Sequence, residues 1–236
     1  MRGEFNMNDI FVYPLQNSKE YKDIINCINN NKGSLLINGL LAVQKPHIAY
    51  SMYRDLNRQT IFITNSDLEA KKVYDDLSFY MKDKVEYIGF QDILFYHLDA
   101  KDRSEEAKRL KVLLKLAKGE NIILVTSIEA VMRKYIPKEI LLENIYTYKI
   151  GDVINLEKLS ETLVNLGYER VSKIEGFGQF SIRGGIVDIF SLEYNNPIRM
   201  ELFDDEIDSI RTFDVFSQKS IEKINKFSIT PSREFI

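Results

Sequence analysis

Up to Pro137, short apolar runs alternate with amphipathic stretches of helical period. Runs of three or four apolar residues are typical of strands buried in a parallel sheet. Such runs occupy residues 35–37, 61–63 and 122–125, and residues 85–88 are predicted as a further strand although Glu86 interrupts the apolar run. Between the runs, apolar residues at helical spacing predict helices, the longest over residues 103–118 with Gly119 as its stop. This strand–helix repetition predicts an α/β subdomain with a parallel sheet over residues 1–138.

Beyond Pro137 the pattern changes to short strand-like runs separated by turn residues. The runs cover residues 145–150, 168–174, 179–182, 186–190, 198–203 and 209–214. A helix is predicted at residues 155–166, and two consecutive glycines at 184–185 are typical of a hairpin turn. The pattern predicts a small α+β domain with an antiparallel sheet over residues 139–220. Residues 221–236 are predicted to contain a strand that returns to the first subdomain.

The net charge and the single cysteine of the chain disfavour two classes of function, direct DNA binding and nucleophilic catalysis. The chain carries 32 basic and 35 acidic residues, a formal net charge of −3, so it has no basic field to hold nucleic acid. Direct DNA binding is therefore disfavoured. The single cysteine, Cys27, lies in an apolar helical stripe, which favours a buried side chain in a reducing compartment over a nucleophile.

Metal and membrane sites are also disfavoured. The two histidines, His47 and His97, stand 50 positions apart without a cluster of other ligands, so we expect no metal site. No run approaches the length of about 18 apolar residues that a membrane span requires. We therefore expect a cytoplasmic protein with no cofactor and no membrane partner.

The segment from Gly39 to Pro46 has the position of a phosphate-binding loop but lacks its chemistry. A working loop reads G-x-x-x-x-G-K-[ST] between a strand and a helix, and Gly39 and Lys45 occupy matching places. Gln44 replaces the glycine whose backbone must approach the phosphate. Pro46 replaces the hydroxyl residue that holds magnesium and removes a backbone N–H at the helix start. We predict a degenerate loop that binds no nucleotide, and no catalytic residue in this chain.

One acidic cluster follows the strand-like run at 198–203. It comprises Asp204, Asp205, Glu206 and Asp208. A metal or acid–base site needs carboxylates opposed around a substrate, whereas these lie in and beside a predicted turn. We interpret the cluster as a solvated hairpin tip.

Three stretches of the sequence carry a resemblance to a known family. They are the loop at 39–46, the segment TSIEAVMR at 126–133, and the joint pattern GQFSIRGGIVDIF at 178–190 with RMELFDDEIDSIR at 199–211. Together they resemble the amino-terminal region of bacterial transcription-repair coupling factors (Mfd), which is itself similar to the excinuclease B subunit, UvrB. The resemblance implies a degenerate RecA-like, P-loop-like subdomain followed by a small α+β domain.

Two departures separate the candidate relatives. UvrB has an intact phosphate loop, which this chain lacks. UvrB also has a long aromatic hairpin that clamps damaged DNA, inserted before the long helix. Here only the segment from Phe90 to His97 and a short polar run stand before that helix. Both departures favour Mfd over UvrB.

The resemblance implies an adaptor function. In the family the second domain docks on the excinuclease A subunit, UvrA, and so recruits nucleotide-excision repair to a stalled RNA polymerase. Arg170 and Arg183 match the contacting arginines, and Phe180 is a weaker candidate because strand alternation turns it toward the core. The full-length family member is an ATP-dependent DNA translocase that binds RNA polymerase and DNA through other regions.

Two other functions compete with the adaptor reading. A fragment of an active nucleotide-dependent helicase, of the excinuclease B type, would still use Lys45 and would bind ATP. A direct damage sensor would bind DNA in a salt-dependent manner, which the charge balance disfavours.

Overall fold

The computed structural model describes residues 9–30, 33–90 and 99–234, without the side chains of 9–10 and 99–104. The helices are α1 (Asp9–Gln16), α2 (Lys19–Asn29), α3 (Gln44–Leu56), α4 (Asp67–Tyr80), α5 (Asp99–Ala117), α6 (Ile128–Val131), α7 (Lys138–Glu143) and α8 (Leu156–Asn165). The strands are β1 (Thr60–Thr64), β2 (Val85–Ile88), β3 (Ile123–Ser127), β4 (Tyr146–Lys149), β5 (Glu169–Arg170), β6 (Gln179–Arg183), β7 (Ile186–Ile189), β8 (Ile198–Phe203), β9 (Glu206–Phe213), β10 (Ser220–Lys223) and β11 (Lys226–Ile229).

The chain divides into two compact units. The first comprises residues 1–93 and 119–134, and the second comprises residues 94–118 and 135–236. Helix α5 therefore belongs to the second unit, although the strand–helix pattern placed it in the first. Within the described residues, no helix is both long and apolar enough to cross a membrane.

The first unit is built on a parallel sheet with strand order β1-β3-β2. Helix α4 packs on this sheet because its Ala70, Val73 and Leu77 are buried with Ile123 and Val125 of the central strand. The Ser66 hydroxyl caps the helix by accepting from the Glu69 N–H at 3.3 Å. The α/β class predicted for this part of the chain is confirmed.

The predicted strand at residues 35–37 is absent. These residues have no regular structure, and Leu36 is 82% exposed. The described strands of the first sheet pair only with one another, so this segment has no ladder to join. An apolar run of three residues is too short to decide its own structure when no neighbouring strand supplies hydrogen bonds.

The second unit contains a six-stranded sheet with order β10-β9-β8-β7-β6-β5. Every neighbouring pair is antiparallel except β5 with β6, which is parallel. One face of the sheet is apolar and packs against α8, whose Leu159 and Leu163 are buried with Phe180, Val187 and Met200. This arrangement confirms the predicted α+β unit with an antiparallel sheet.

The prediction that residues 221–236 return to the first subdomain is wrong for the described part of this segment. Strand β10 pairs with β9, and β11 pairs with β4, so both lie in the second unit. Phe227 and Ile229 are at most 1% exposed within its core. The buried Tyr168 hydroxyl also donates to the Thr230 carbonyl at 2.8 Å. Burial of these two apolar side chains ties the segment to the sheet that precedes it.

Candidate protein interface

The six-stranded sheet presents a polar face opposite the α8 side. Strand alternation places Ile182 and Leu202 toward the core, so that Arg183 and Phe203 point to the other face. The register forms a polar row across this face. From β6 to β9 the row is Ser181, Asp188, Arg199 and Arg211. The polar face is therefore built by cross-strand pairing and not by a single loop.

Asp188 is the centre of this row. Its side chain is 3% exposed, and its carboxylate accepts from Arg183 Nη2 at 2.7 Å. The other contacts come from Arg199, whose Nε and Nη2 donate at 2.6 and 2.9 Å. A buried carboxylate needs such charge-assisted partners to offset its desolvation. Arg183 keeps half of its side-chain surface exposed, at 50%, so one end of its guanidinium is fixed while the rest faces solvent.

A second charge pair extends the polar face. Arg211 Nη1 donates to Glu201 Oε2 at 2.9 Å, and its Nη2 bonds the other carboxylate oxygen. This pairing with Arg211 holds the pKa of the Glu201 carboxyl below its usual value. The hydrogen bonds that Arg199 donates to Asp188 raise the pKa of the Arg199 guanidinium, which also lies 4.3 Å from the centre of the Phe213 ring. The polar face is thus held together by two sets of ion pairs, one around Asp188 and one between Glu201 and Arg211.

Arg170 lies on the edge strand β5 and is exposed. Among the described residues it has no hydrogen-bonding or ion-pair partner. The parallel register sets Arg170 beside Phe180, so alternation directs it to the opposite side of the sheet from Arg183. The two arginines also differ by about 10 Å along the strand direction. A single partner would have to wrap around the β5 edge to reach both.

Phe180 is wrong as a contact residue. Its side chain is 0% exposed and belongs to the apolar core beneath the sheet. Alternation accounts for this position, because Phe180 and the exposed Arg183 are three residues apart on one strand. A partner that docks on the folded surface has no access to this ring.

Two hairpin turns lie at the Arg183 end of the sheet. Gly184 adopts a φ of +59°, which a residue with a side chain rarely takes, and confirms the predicted turn. A Cβ at Gly185 would lie 3.0 Å from the Leu202 carbonyl oxygen, so this turn packs closely against β8. The second turn, Asp204-Asp205, is exposed. Among the described residues no group of acidic, histidine and cysteine side chains could hold a metal.

Three backbone N–H groups of the loop from Gly39 to Pro46 are engaged within the loop itself. The Leu41 N–H donates to the Gln44 side-chain oxygen at 2.9 Å. The N–H groups of Gln44 and Lys45 donate back to carbonyls of the same loop, at 3.0 and 3.3 Å. Pro46 has no N–H and is buried in the first turn of α3. Lys45 is exposed, and these three N–H groups are directed to acceptors inside the loop, where they are not free to surround a phosphate.

Sequence reasoning did not single out Asp188 or Arg199 as the partners that fix this face. Their pairing follows once the turn at 184–185 sets the hairpin register, because Ser181 then opposes Asp188. The register of the next hairpin brings in Arg199. In the sequence, only the alternation of polar and apolar residues along these strands indicates which side chains share the polar face.

Most of the second unit is similar to a known domain family. Residues 147–235 match the family described as the UvrB interaction domain. Over most of its length the chain is also similar to proteins named transcription-repair-coupling factor. It is 33% identical to the Bacillus subtilis protein over 94% of this chain, and 33% identical to those of Staphylococcus epidermidis and Staphylococcus aureus over 86% and 87%. The chain therefore resembles a UvrB-like module of the transcription-repair-coupling factors.

The match covers only part of each relative. The chain spans 19% of the Bacillus subtilis protein, and 17% and 18% of the two staphylococcal proteins. The similarity therefore describes this module and not the remainder of those proteins.

Proposed function

We propose that this chain is an adaptor that docks the excinuclease subunit UvrA through its second unit. In a protein of the relatives' length, the adaptor brings UvrA to a stalled RNA polymerase in transcription-coupled nucleotide-excision repair. ATP-driven translocation on DNA and polymerase binding belong to regions other than this chain. The module contributes recognition and no chemistry of its own.

The observation that carries this proposal is an exposed, pre-oriented arginine inside a UvrB interaction domain. Arg183 is held at one end by buried Asp188 and presents its remaining surface to solvent. Orientation before binding lowers the entropy cost of docking. Arginine is also among the side chains that contribute most at protein interfaces, because its planar fork binds carboxylates and stacks on aromatic rings.

The experiment is a pull-down of purified UvrA by the tagged chain, followed by titration. Arg183→Ala is expected to weaken binding about tenfold or more, the size of effect that truncation of an interface anchor produces. Arg170→Ala is expected to weaken it as well if UvrA wraps the β5 edge. Lys158→Ala is the matched control, because Lys158 is an exposed cation on α8, behind the sheet.

The outcomes distinguish an error in the assigned contact residues from an error in the proposed binding of UvrA. Weakening by Arg183→Ala with no change in the control supports docking on the polar face, and weakening by Arg170→Ala as well supports a contact that continues around the β5 edge. Wild-type binding by both Arg170→Ala and Arg183→Ala would show that this interface is wrong. Failure of the unmodified chain to retain UvrA would remove the adaptor function itself.

A further inference from the structure

Strand β1 of the parallel sheet has a free edge. It lies first in the order β1-β3-β2, and among the described strands only β3 pairs with it. The Thr60 N–H donates to the Ile122 carbonyl at 3.1 Å, so the backbone groups of Thr60 point toward β3. Because these groups alternate in direction along a parallel ladder, those of Ile61 and Ile63 point away from the sheet. Within the described part of the chain they have no partner, so they can pair with another strand.

This edge lacks the features that keep free strand edges apart. Exposed edges ordinarily carry lysine, proline or a bulge, which block pairing with another chain. The sequence of β1 is TIFIT, with no charge and no proline, and its ladder with β3 has no register shift. Phe62 packs toward α4, so alternation turns Ile61 and Ile63 to the other face, where they are 56% and 49% exposed. β-Branched residues of this kind favour strand pairing.

The sequence of β1 is also palindromic. TIFIT reads the same in both directions, so two copies can pair in antiparallel orientation about a two-fold axis at Phe62. This register sets Ile61 of one copy opposite Ile63 of the other. The outward backbone groups of the two isoleucines then face each other, and such a pair exchanges both of its N–H···O bonds. The β-branched side chains of each pair also lie side by side, which stabilises the ladder further.

A second apolar surface lies beside this edge. Helix α6 begins at the carboxyl end of β3 and packs next to β1. Ile128 and Val131 of this helix, and Met132 at its end, are exposed. Antiparallel pairing sets the carboxyl end of β1 in one copy beside the amino end of β1 in the other, so α6 lies next to the joined strands. Burial of this surface adds to the pairing and brings the contact toward the area of about 800 Å² per partner that specific interfaces need.

We propose that a second copy of this chain docks on the β1 edge, giving a two-fold symmetric dimer in which two parallel sheets join through antiparallel β1 strands. A second copy is the occupant because the strand is complementary to itself both in sequence and in the direction of its backbone groups. The dimer contact lies in the first unit, whereas the proposed UvrA contact lies in the second. The two proposals can therefore be tested separately.

Two double variants test the register. Ile61→Lys with Ile63→Lys puts like charges opposite each other in both pairs, which destabilises the dimer. Ile61→Lys with Ile63→Glu removes the same apolar side chains but puts opposite charges in each pair, so it should retain the dimer. Ile221→Lys is the control for added charge, because Ile221 lies on the edge strand β10 of the other sheet and is equally exposed, at 56%. Circular dichroism verifies that each variant keeps the fold.

Sedimentation equilibrium of the purified chain at concentrations up to about 1 mM measures the association. The mass of the unmodified chain, of Ile221→Lys and of the lysine–glutamate variant is expected to rise from 27.6 kDa toward twice that value. The variant with two lysines should have a dissociation constant at least about tenfold higher than that of the unmodified chain. An unmodified chain that stays at 27.6 kDa throughout would overturn the proposal. A dimer that both double variants weaken equally, or that neither weakens, would overturn it as well.

Discussion

Arg183 and Phe180 show how three positions on one strand separate a surface residue from a core residue. Phe180 is fully buried, whereas Arg183 reaches solvent while Asp188 holds one end of it. The resemblance to the repair family indicates both residues as candidate contacts. Strand alternation separates them, because it predicts that Phe180 faces the core and Arg183 faces solvent. The partner of Arg183 was not predictable without the hairpin register, because Asp188 is remote from it until the turn at Gly184 is formed.

Asp188 is expected to position Arg183 for binding. Asp188→Asn removes the charge that orients the guanidinium while keeping the side-chain shape, so UvrA binding should weaken by several-fold. In a double-mutant cycle, adding Asp188→Asn to Arg183→Ala should weaken binding little further, because the variant no longer has the guanidinium that Asp188 orients. Asp208→Asn, at an exposed acid on β9, is the control. Fully additive losses in titration calorimetry would show that Asp188 acts only through stability.

At the scale of elements, the pair formed by Glu201 on β8 and Arg211 on β9 predicts a pH dependence. The hydrogen bond from Arg211 lowers the pKa of the Glu201 carboxyl in the folded state below its usual value. A carboxyl with a depressed pKa stabilises the fold above its unfolded pKa, and this contribution is lost as pH falls through the folded value. The chain should therefore lose part of its stability below about pH 4.5. Partial exposure of both side chains keeps the effect modest.

The measurement for this pair is the thermal midpoint between pH 7 and pH 3. Glu201→Gln should lower the midpoint at neutral pH and show a shallower decline on acidification than the unmodified chain. Parallel curves for the two proteins would contradict a stabilising role of the charged Glu201.

The loop from Gly39 to Pro46 predicts an absence of nucleotide binding. Its donors at Leu41, Gln44 and Lys45 are engaged within the loop, so few amides remain to surround a phosphate. Titration with Mg-ATP is expected to give no saturable heat, and Lys45→Ala should behave as the unmodified chain does. Binding that disappears in Lys45→Ala would support the rival reading of an active helicase fragment.

Helix starts and turns were predictable because local chemistry sets them. The helices α2, α4, α6 and α8 each begin after a residue whose side chain accepts a backbone N–H of the first turn, namely Ser18, Ser66, Ser127 and Asn155. Strand partners were not predictable from the sequence, because the pairing of a strand depends on segments that are distant along the chain. The apolar run at 35–37 therefore forms no strand, whereas β10 pairs with β9 and β11 pairs with β4 in the second unit.

At the scale of the whole chain, the sequence predicted the type of sheet in each of the two units but not the boundary between the units. The parallel sheet of the first and the antiparallel sheet of the second followed from a change in hydrophobic period near Pro137. The boundary itself was only partly predictable, because α5 precedes Pro137 yet belongs to the second unit. Its Leu110 and Leu114 are buried with Leu141 and Leu192 in a separate core cluster. Amphipathic periodicity reveals that a helix has an apolar face but not which surface receives it.

The placement of β11 in the second unit makes a stability prediction. Phe227→Ala removes a ring that is 1% exposed within the second core, so the free energy of unfolding should fall by about 3 kcal/mol or more. Urea denaturation of the chain measures the loss. Ile221→Ala on β10 is the control, because its side chain is 56% exposed. A change in Phe227→Ala no larger than in this control would contradict the observed packing.

Hydrogen–deuterium exchange of the chain with and without saturating UvrA tests the adaptor account most directly, because it locates contact by segment without any substitution. The account predicts slower exchange on binding in β5 and around the Arg183 turn, with the loop at 39–46 unchanged. Protection confined to the first unit, or no protection in the second unit at saturation, would contradict it.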